Sequence, residues 1–165
     1  MKNVLYKAAS WFAVIGGLLA LLIAVVTIVN VTAFGLDKIA RLFDANFPAI
    51  IGYEDFVSMI VSSAALMFFP YCQAHRGHVA VDVFIKMFPD GFARAIDVVS
   101  SILMTGLALF LGYMMVNGLI EVRGDNTLSA ILGWTIWPFY VPGIISMFLW
   151  AAIAGSQIFE READV

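Results

Sequence analysis

Charge is what this chain has least of: 13% of its 165 residues are Asp, Glu, Lys or Arg, about half the share of an ordinary globular domain, and 62% are apolar against a norm of about 45–50%. A soluble single domain is excluded on that ground. One cysteine, Cys72, rules out an internal disulfide framework and any multi-cysteine metal site. Two histidines, His75 and His78, leave little for haem ligation or acid–base catalysis. Nine basic residues against twelve acidic ones give a net charge of −3, with no clustered basic surface for nucleic acid. The expectation is a protein that is not an enzyme, holds no cofactor or metal and binds no nucleic acid.

The charges that exist fence off four uncharged runs: Ala8 to Leu36, Phe56 to Ala74, Val98 to Ile120 and Asn126 to Phe159, of 29, 19, 23 and 34 residues. A bilayer core about 30 Å thick is crossed by roughly 20 apolar helical residues, so each run supplies one span. The expected fold is an all-α integral membrane protein of four transmembrane helices, at about 9–35, 54–74, 96–120 and 136–158, forming a single membrane domain over residues 1–165. A cleaved signal peptide is the alternative for the first run, given Lys2, Lys7 and the small residues near Ala33. An apolar stretch from Ala8 to Ala33 is too long for an h-region of about 7–15 residues, and a span is the better reading.

Six Lys and Arg residues fall on the side shared by both termini and the connection between spans two and three, and three on the other. The excess of positive charge places both termini in the cytoplasm. Aromatic residues mark the borders, Trp11 near the start of span one and Trp134, Trp137, Phe139 and Tyr140 at the entry of span four.

Two connections have helical periodicity. Leu36, Ile39, Ala40 and Phe43 line one face opposite Asp37, Arg41 and Asp44, which suggests a short amphipathic helix on the outer surface before Pro48 and Gly52. Val81, Phe84, Ile85 and Phe88 form a stripe opposite Asp82 and Lys86, so a short interfacial helix is expected at about 79–88, after the second span, with membrane lipid or a partner against its stripe. An ordinary surface connector is the plainer alternative there.

Within the spans, ionisable residues at mid-depth would mark an ion or proton path. Glu54, Asp55, Asp97 and Glu121 fall instead at span ends, as do Pro70, Pro138 and Pro142. Transporter sites commonly use helices broken halfway across, and this chain is poorly equipped to move a solute alone. Asn30 and Asn117 are the amides that argue otherwise, against simple interhelical hydrogen bonding. Small residues recur at helical spacing: Gly16, Ala20 and Ala24 in span one, Ser58, Ser62 and Ala65 in span two, Ser101, Thr105, Ala108 and Gly112 in span three. Such stripes let backbones approach closely, either within the four-helix bundle or against a second chain.

The densest polar stretch, His75 to Asp82, follows span two. Two histidines three apart could ligate a metal, but a structural reading fits the boundary position better. Gly77 permits a sharp turn, Arg76 reaches headgroups or a carboxylate, and Asp82 suits the positive end of a helix.

Gly52-Tyr53-Glu54 at the opening of span two, then Arg76-Gly77-His78-Val79 and Val81-Asp82-Val83 after it, resemble the small membrane subunit of tripartite ATP-independent periplasmic (TRAP) transporters, the DctQ family. Pro89, Arg94, Thr127-Leu128, Trp137-Pro138 and Pro142-Gly143 extend the resemblance in order along nearly the whole chain. The resemblance implies an inner-membrane scaffold that braces a large DctM-type subunit, itself moving an organic acid by a sodium-driven elevator motion. It also implies a DctP-type periplasmic binding protein as third component, which the outer loop from Asp37 to Tyr53 would touch. On this view Glu54, Arg76, Gly77, His78, Asp82, Pro138, Pro142 and Gly143 are structural or partner-contact residues, with no catalytic, metal or substrate-binding residue among them. Two other classes have about four spans: the membrane anchor of a respiratory complex, which would want interior histidines, and a small autonomous exporter, which would want a mid-span carboxylate.

Overall fold

A computed structural model describes residues 2–40, 51–75 and 90–158. Among the described residues, five α-helices make up the bundle: α1 (Lys2–Ala40), α2 (Tyr53–Leu66), α3 (Phe69–Ala74), α4 (Asp90–Gly124) and α5 (Tyr140–Ile158), the last entered through a 3-10 turn at Trp137–Phe139. Four stretches are long and apolar enough to cross a membrane: Asn3–Ala40, Tyr53–Ala74, Val98–Gly124 and Trp137–Ile158. The four-span all-α architecture expected from the uncharged runs is the one observed. The expected interfacial helix at 79–88 lies outside the described residues, and so do Arg76, Gly77, His78 and Asp82.

Helix α1 corrects one expectation. No proline interrupts residues 2–40, and the helix runs unbroken through Ala40, so Leu36 to Ala40 continue the first span where a separate amphipathic helix was expected. Its 39 residues reach about 58 Å at 1.5 Å each, well beyond a hydrocarbon core. The remainder of that expected helix, Arg41 to Asp44, lies outside the described residues.

The second span corrects another. It is broken at Met67–Phe68, between α2 and α3. The cause is Pro70, which lies in the first turn of α3: without an N–H it cannot bond the carbonyl of Leu66, four residues back. The Phe68 N–H bonds Ala65 O at 3.3 Å, and Cys72 N–H restarts the ladder on Phe68 O at 3.0 Å. The Leu66 carbonyl is taken up instead by the Ser146 hydroxyl of α5, which donates to it at 2.6 Å.

Helix α5 is the centre of the bundle. Gly143, Ser146, Met147, Trp150, Ala151, Ile153, Ala154 and Gln157 are all buried, a three-and-four spacing that gives helical faces to neighbours on more than one side. Helix α4 packs along one side of α5, α2 and α3 along another, and α1 closes over α2, α3 and the edge of α5. On the α4 side Ala108 joins Met147, Trp150 and Ala151, with Met104 and Met115 at the margin. Gly112 faces the same seam, where an added Cβ would lie 3.4 Å from Met147 Cβ. In lipid there is no hydrophobic drive between helices, so this close fit supplies dispersion contact that bulkier residues would hold apart.

The three small-residue stripes therefore do different things. The α4 stripe is internal, with Ala108 and Gly112 buried against α5. In the α1 stripe Gly16 is buried, with an added Cβ meeting Met67 Cβ at 3.0 Å and the Ala64 carbonyl at 3.1 Å, while Ala20 and Ala24 face outward. On α2, Ser58, Ser62 and Ala65 are all exposed.

Candidate functional site

The seam between α2–α3 and α5 holds most of the chain's long-range polar contacts, and it starts at the end of the bundle carrying the loop between α4 and α5. Chain direction leaves α4 through Asn126, whose φ of +48° is one that asparagine tolerates better than most residues. The loop then folds back on itself. Leu128 and Thr135 form an antiparallel bridge, Ser129 N–H bonds Trp134 O at 2.8 Å, and Trp134 N–H bonds Ser129 Oγ at 3.1 Å.

Asp55, in the first turn of α2, reaches this loop. One of its carboxylate oxygens accepts the N–H of Ile131 at 2.6 Å and that of Leu132 at 3.1 Å. Charge-assisted bonds of this kind are stronger than neutral ones. Gly52, at φ +84°, lets the chain turn into α2 beneath Leu132; a Cβ there would come within 2.7 Å of Leu132 Cδ2. Phe56 meets Trp134 edge to face with centroids 6.5 Å apart, and the Arg123 guanidinium stands 5.3 Å from the Trp137 ring centre. The loop is thereby fixed to α2 through a residue 76 positions away in the chain. Replacing Asp55 with alanine should raise hydrogen exchange at the Ile131 and Leu132 amides while exchange in the four spans stays unchanged. Unchanged protection at those two amides would show that the carboxylate does not hold the loop.

Deeper in the seam the Ser63 hydroxyl donates to the Phe139 carbonyl, at the joint between the 3-10 turn and α5. Next comes the Ser146 bond to Leu66. At the far end Gln73 Nε2 donates to Gln157 Oε1 at 2.7 Å, Gln157 Nε2 donates to the Gln73 carbonyl at 2.9 Å, and the Trp150 indole N–H donates to Gln73 Oε1 at 3.1 Å. All three side chains are buried, and Phe69 stacks on Trp150 with centroids 4.9 Å apart. The polar groups along this seam are turned on one another, so they fix the register of two helices.

Of the residues expected to matter, Glu54 is exposed in the first turn of α2. Acidic residues there suit the positive end of the helix. Pro138 is the second residue of the 3-10 turn and Pro142 falls in the first turn of α5, positions where a missing N–H costs little. Gly143 is buried, and a Cβ on it would meet Met115 Cε at 2.7 Å and Leu66 Cδ1 at 3.0 Å, so α2, α4 and α5 come together there. Asp55, Ser63, Gln73, Ser146, Trp150 and Gln157 were not singled out from sequence. Two amides inside uncharged runs, Gln73 and Gln157, were the signal available. Asn30 is buried on α1 and Asn117 is exposed on α4; both helices border α5, with no extensive packing of one on the other among the described residues.

Residues 31–163 match the family description "Tripartite ATP-independent periplasmic transporters, DctQ component". The chain belongs to the DctQ family. No curated protein and no solved structure matches it. The match takes in α2 to α5 and the last turns of α1, so the laced seam lies wholly within the DctQ region. The protein is the small, multi-pass membrane component of a TRAP transporter, and the DctQ family is a family of transporter subunits, not of enzymes. That assignment separates the three readings the residues left open and displaces the respiratory anchor and the autonomous exporter.

Proposed function

We propose that this DctQ subunit is the fixed scaffold of a sodium-driven importer of an organic acid, bracing a large DctM-type subunit in the inner membrane and helping to dock a DctP-type periplasmic binding protein. The observation that supports this most is the fate of the broken second span. Helix breaks serve transport when their freed backbone groups face substrate or ion; here the carbonyl freed by Pro70 is occupied by Ser146 of the same chain. A break capped from within stiffens a bundle and offers nothing to a solute. An element that moves across a bilayer needs a neighbour that does not, and the seam from Asp55 to Gln157 gives α2, α3 and α5 that rigidity. Glu54, Arg76, Gly77, His78, Asp82, Pro138, Pro142 and Gly143 act in this proposal as structural or partner-contact residues. Purification of the tagged chain in mild detergent should bring down the large subunit in stoichiometric amount. Recovery of the chain alone from membranes containing both would refute the scaffold role.

The proposal places both termini and the segment Gln73 to Arg94 in the cytoplasm, and Asp37 to Tyr53 and Glu121 to Leu132 in the periplasm, following the excess of Lys and Arg on the terminal side. In a background lacking Cys72, an impermeant thiol reagent added from outside should label a cysteine at Asp125 and spare one at Lys7. The opposite pattern would invert the orientation.

A further inference from the structure

The uncharged runs that cross the membrane are not level with one another in the bundle. Span two, Phe56 to Ala74, is centred on Ala65, and Gly16 of α1 packs at that depth, against Ala64, Met67 and Phe68. Helix α5 is level too, since Ser146 bonds Leu66 near the middle of Trp137–Ile158. The run of α1, Ala8 to Leu36, is centred on Leu22 instead. At 1.5 Å per residue that is about 9 Å beyond Gly16, toward the end of the bundle that carries the 125–136 loop. In α4 the shift is the other way. Gly112 faces Met147, but the run from Val98 to Ile120 is centred on Leu109, about 4–5 Å toward the end where α1 begins.

Helix α1 packs on α2, α3 and α5, and α4 on α5, with no extensive contact between α1 and α4 among the described residues. They are the two flanks of the bundle, about 16–20 Å apart at two interaxial spacings. Opposite staggers on opposite flanks have one cause in common, an apolar belt that runs obliquely round the bundle. A stagger of about 14 Å over that width corresponds to a tilt of about 35–40°. We infer that the bundle sits inclined in the bilayer by this amount, so that the outer face of α1 near Ile28 and Val31, and that of α4 near Val99, are contacts for lipid chains at opposite membrane borders. All three side chains are more than half exposed. In an upright bundle Val31 would stand about 22 Å from the mid-plane, outside a hydrocarbon half-thickness of about 15 Å, whereas inclination brings it to about 11 Å. Trp11 fits the same setting. Its ring is exposed, and inclination moves it from about 8 Å to about 13 Å from the mid-plane, the border where Trp is enriched. The tilt also shortens the ~43 Å apolar length of α1 to about 35 Å across the membrane, close to the ~30 Å core. The inference rests on register and span boundaries, and the scaffold reading does not enter it.

The test is a depth profile of the full chain, assembled in its complex and placed in phosphatidylcholine vesicles. In a background lacking Cys72, single cysteines at Val14, Leu18, Leu22, Val25 and Val31 of α1, and at Val99 of α4, carry a nitroxide. Collisions with oxygen, weighed against collisions with a water-soluble nickel chelate, should place the deepest label at Leu22 and leave Val31 and Val99 shielded from nickel. A deepest point between Val14 and Leu18, with Val31 and Val99 open to nickel, would mean an upright bundle and overturn the inference. Suppression of both collision rates at Val31 would mean that protein covers it, and would overturn the lipid assignment equally. Polarised infrared absorption of the unsubstituted chain in oriented bilayers decides the matter even if cysteine variants fail to fold. A mean helix tilt of about 35–40° is expected, and one at or below the ~20° common for membrane helices would contradict the inclined setting.

Discussion

Replacing Gln157 with leucine should destabilise the subunit by about 1–3 kcal/mol, the cost of breaking hydrogen bonds to a buried polar group. The substitution removes the bond from Gln73 Nε2 at 2.7 Å and the bond to the Gln73 carbonyl at 2.9 Å, both made by buried side chains. The Trp150 indole bond to Gln73 survives in that variant and is lost in Gln73→Leu, which in turn keeps the Gln157 bond to the backbone carbonyl of residue 73, so each single change removes two of the three bonds and the two costs should be similar. Membrane hydrogen bonds measured by double-mutant cycles are worth ~0.6 kcal/mol on average, which sets the lower end of the expectation. The coupling is the sharper part. Once Gln73 is leucine, the Gln157 amide keeps only its bond to the backbone carbonyl of residue 73, and its own replacement should cost less than in the native background, with a coupling of ~0.5–3 kcal/mol. Unfolding followed by helical signal in mild detergent reads all four corners of the cycle. Strictly additive losses would mean that the two glutamines do not act as a pair.

The fold was legible because the membrane imposes a simple rule. Helices must satisfy their own backbone, so four uncharged runs in a charge-poor chain could hardly be anything except four spans. The α4 stripe was legible too, since Ala108 and Gly112 have the spacing of a packing face and are used as one. What eluded sequence reading was pairing. Asp55 looked like one more carboxylate at a span end, because nothing local to it points to the amides of Ile131 and Leu132, which only the tertiary fold brings near. Pro70, expected merely to lie toward a span end, breaks the span, and the residue that takes up the freed Leu66 carbonyl, Ser146, is 80 positions away. The α1 and α2 stripes illustrate the same limit: identical spacing is buried at Gly16 and exposed at Ser58 and Ser62, and periodicity alone does not say which side is covered.

The second large effect concerns transport itself. If the chain braces and does not carry, uptake into vesicles should be lost when it is omitted, because the moving element has no fixed neighbour, and variants within it should change assembly or rate without changing what is carried. Asn30 and Asn117 are the residues best placed to contradict this, being amides within spans that an ion could use. One is buried on α1 and the other exposed on α4, helices with no extensive packing on each other among the described residues, and their replacement by alanine should leave selectivity alone. The decisive measurement is sodium-dependent uptake by proteoliposomes containing the large subunit and binding protein, with the small subunit native, omitted, Asn30→Ala or Asn117→Ala. The account predicts no uptake without the small subunit, and for either assembled variant the native substrate preference and native sodium dependence. A shifted preference or altered sodium dependence in a fully assembled Asn30→Ala or Asn117→Ala complex, or undiminished uptake without the subunit, would contradict it.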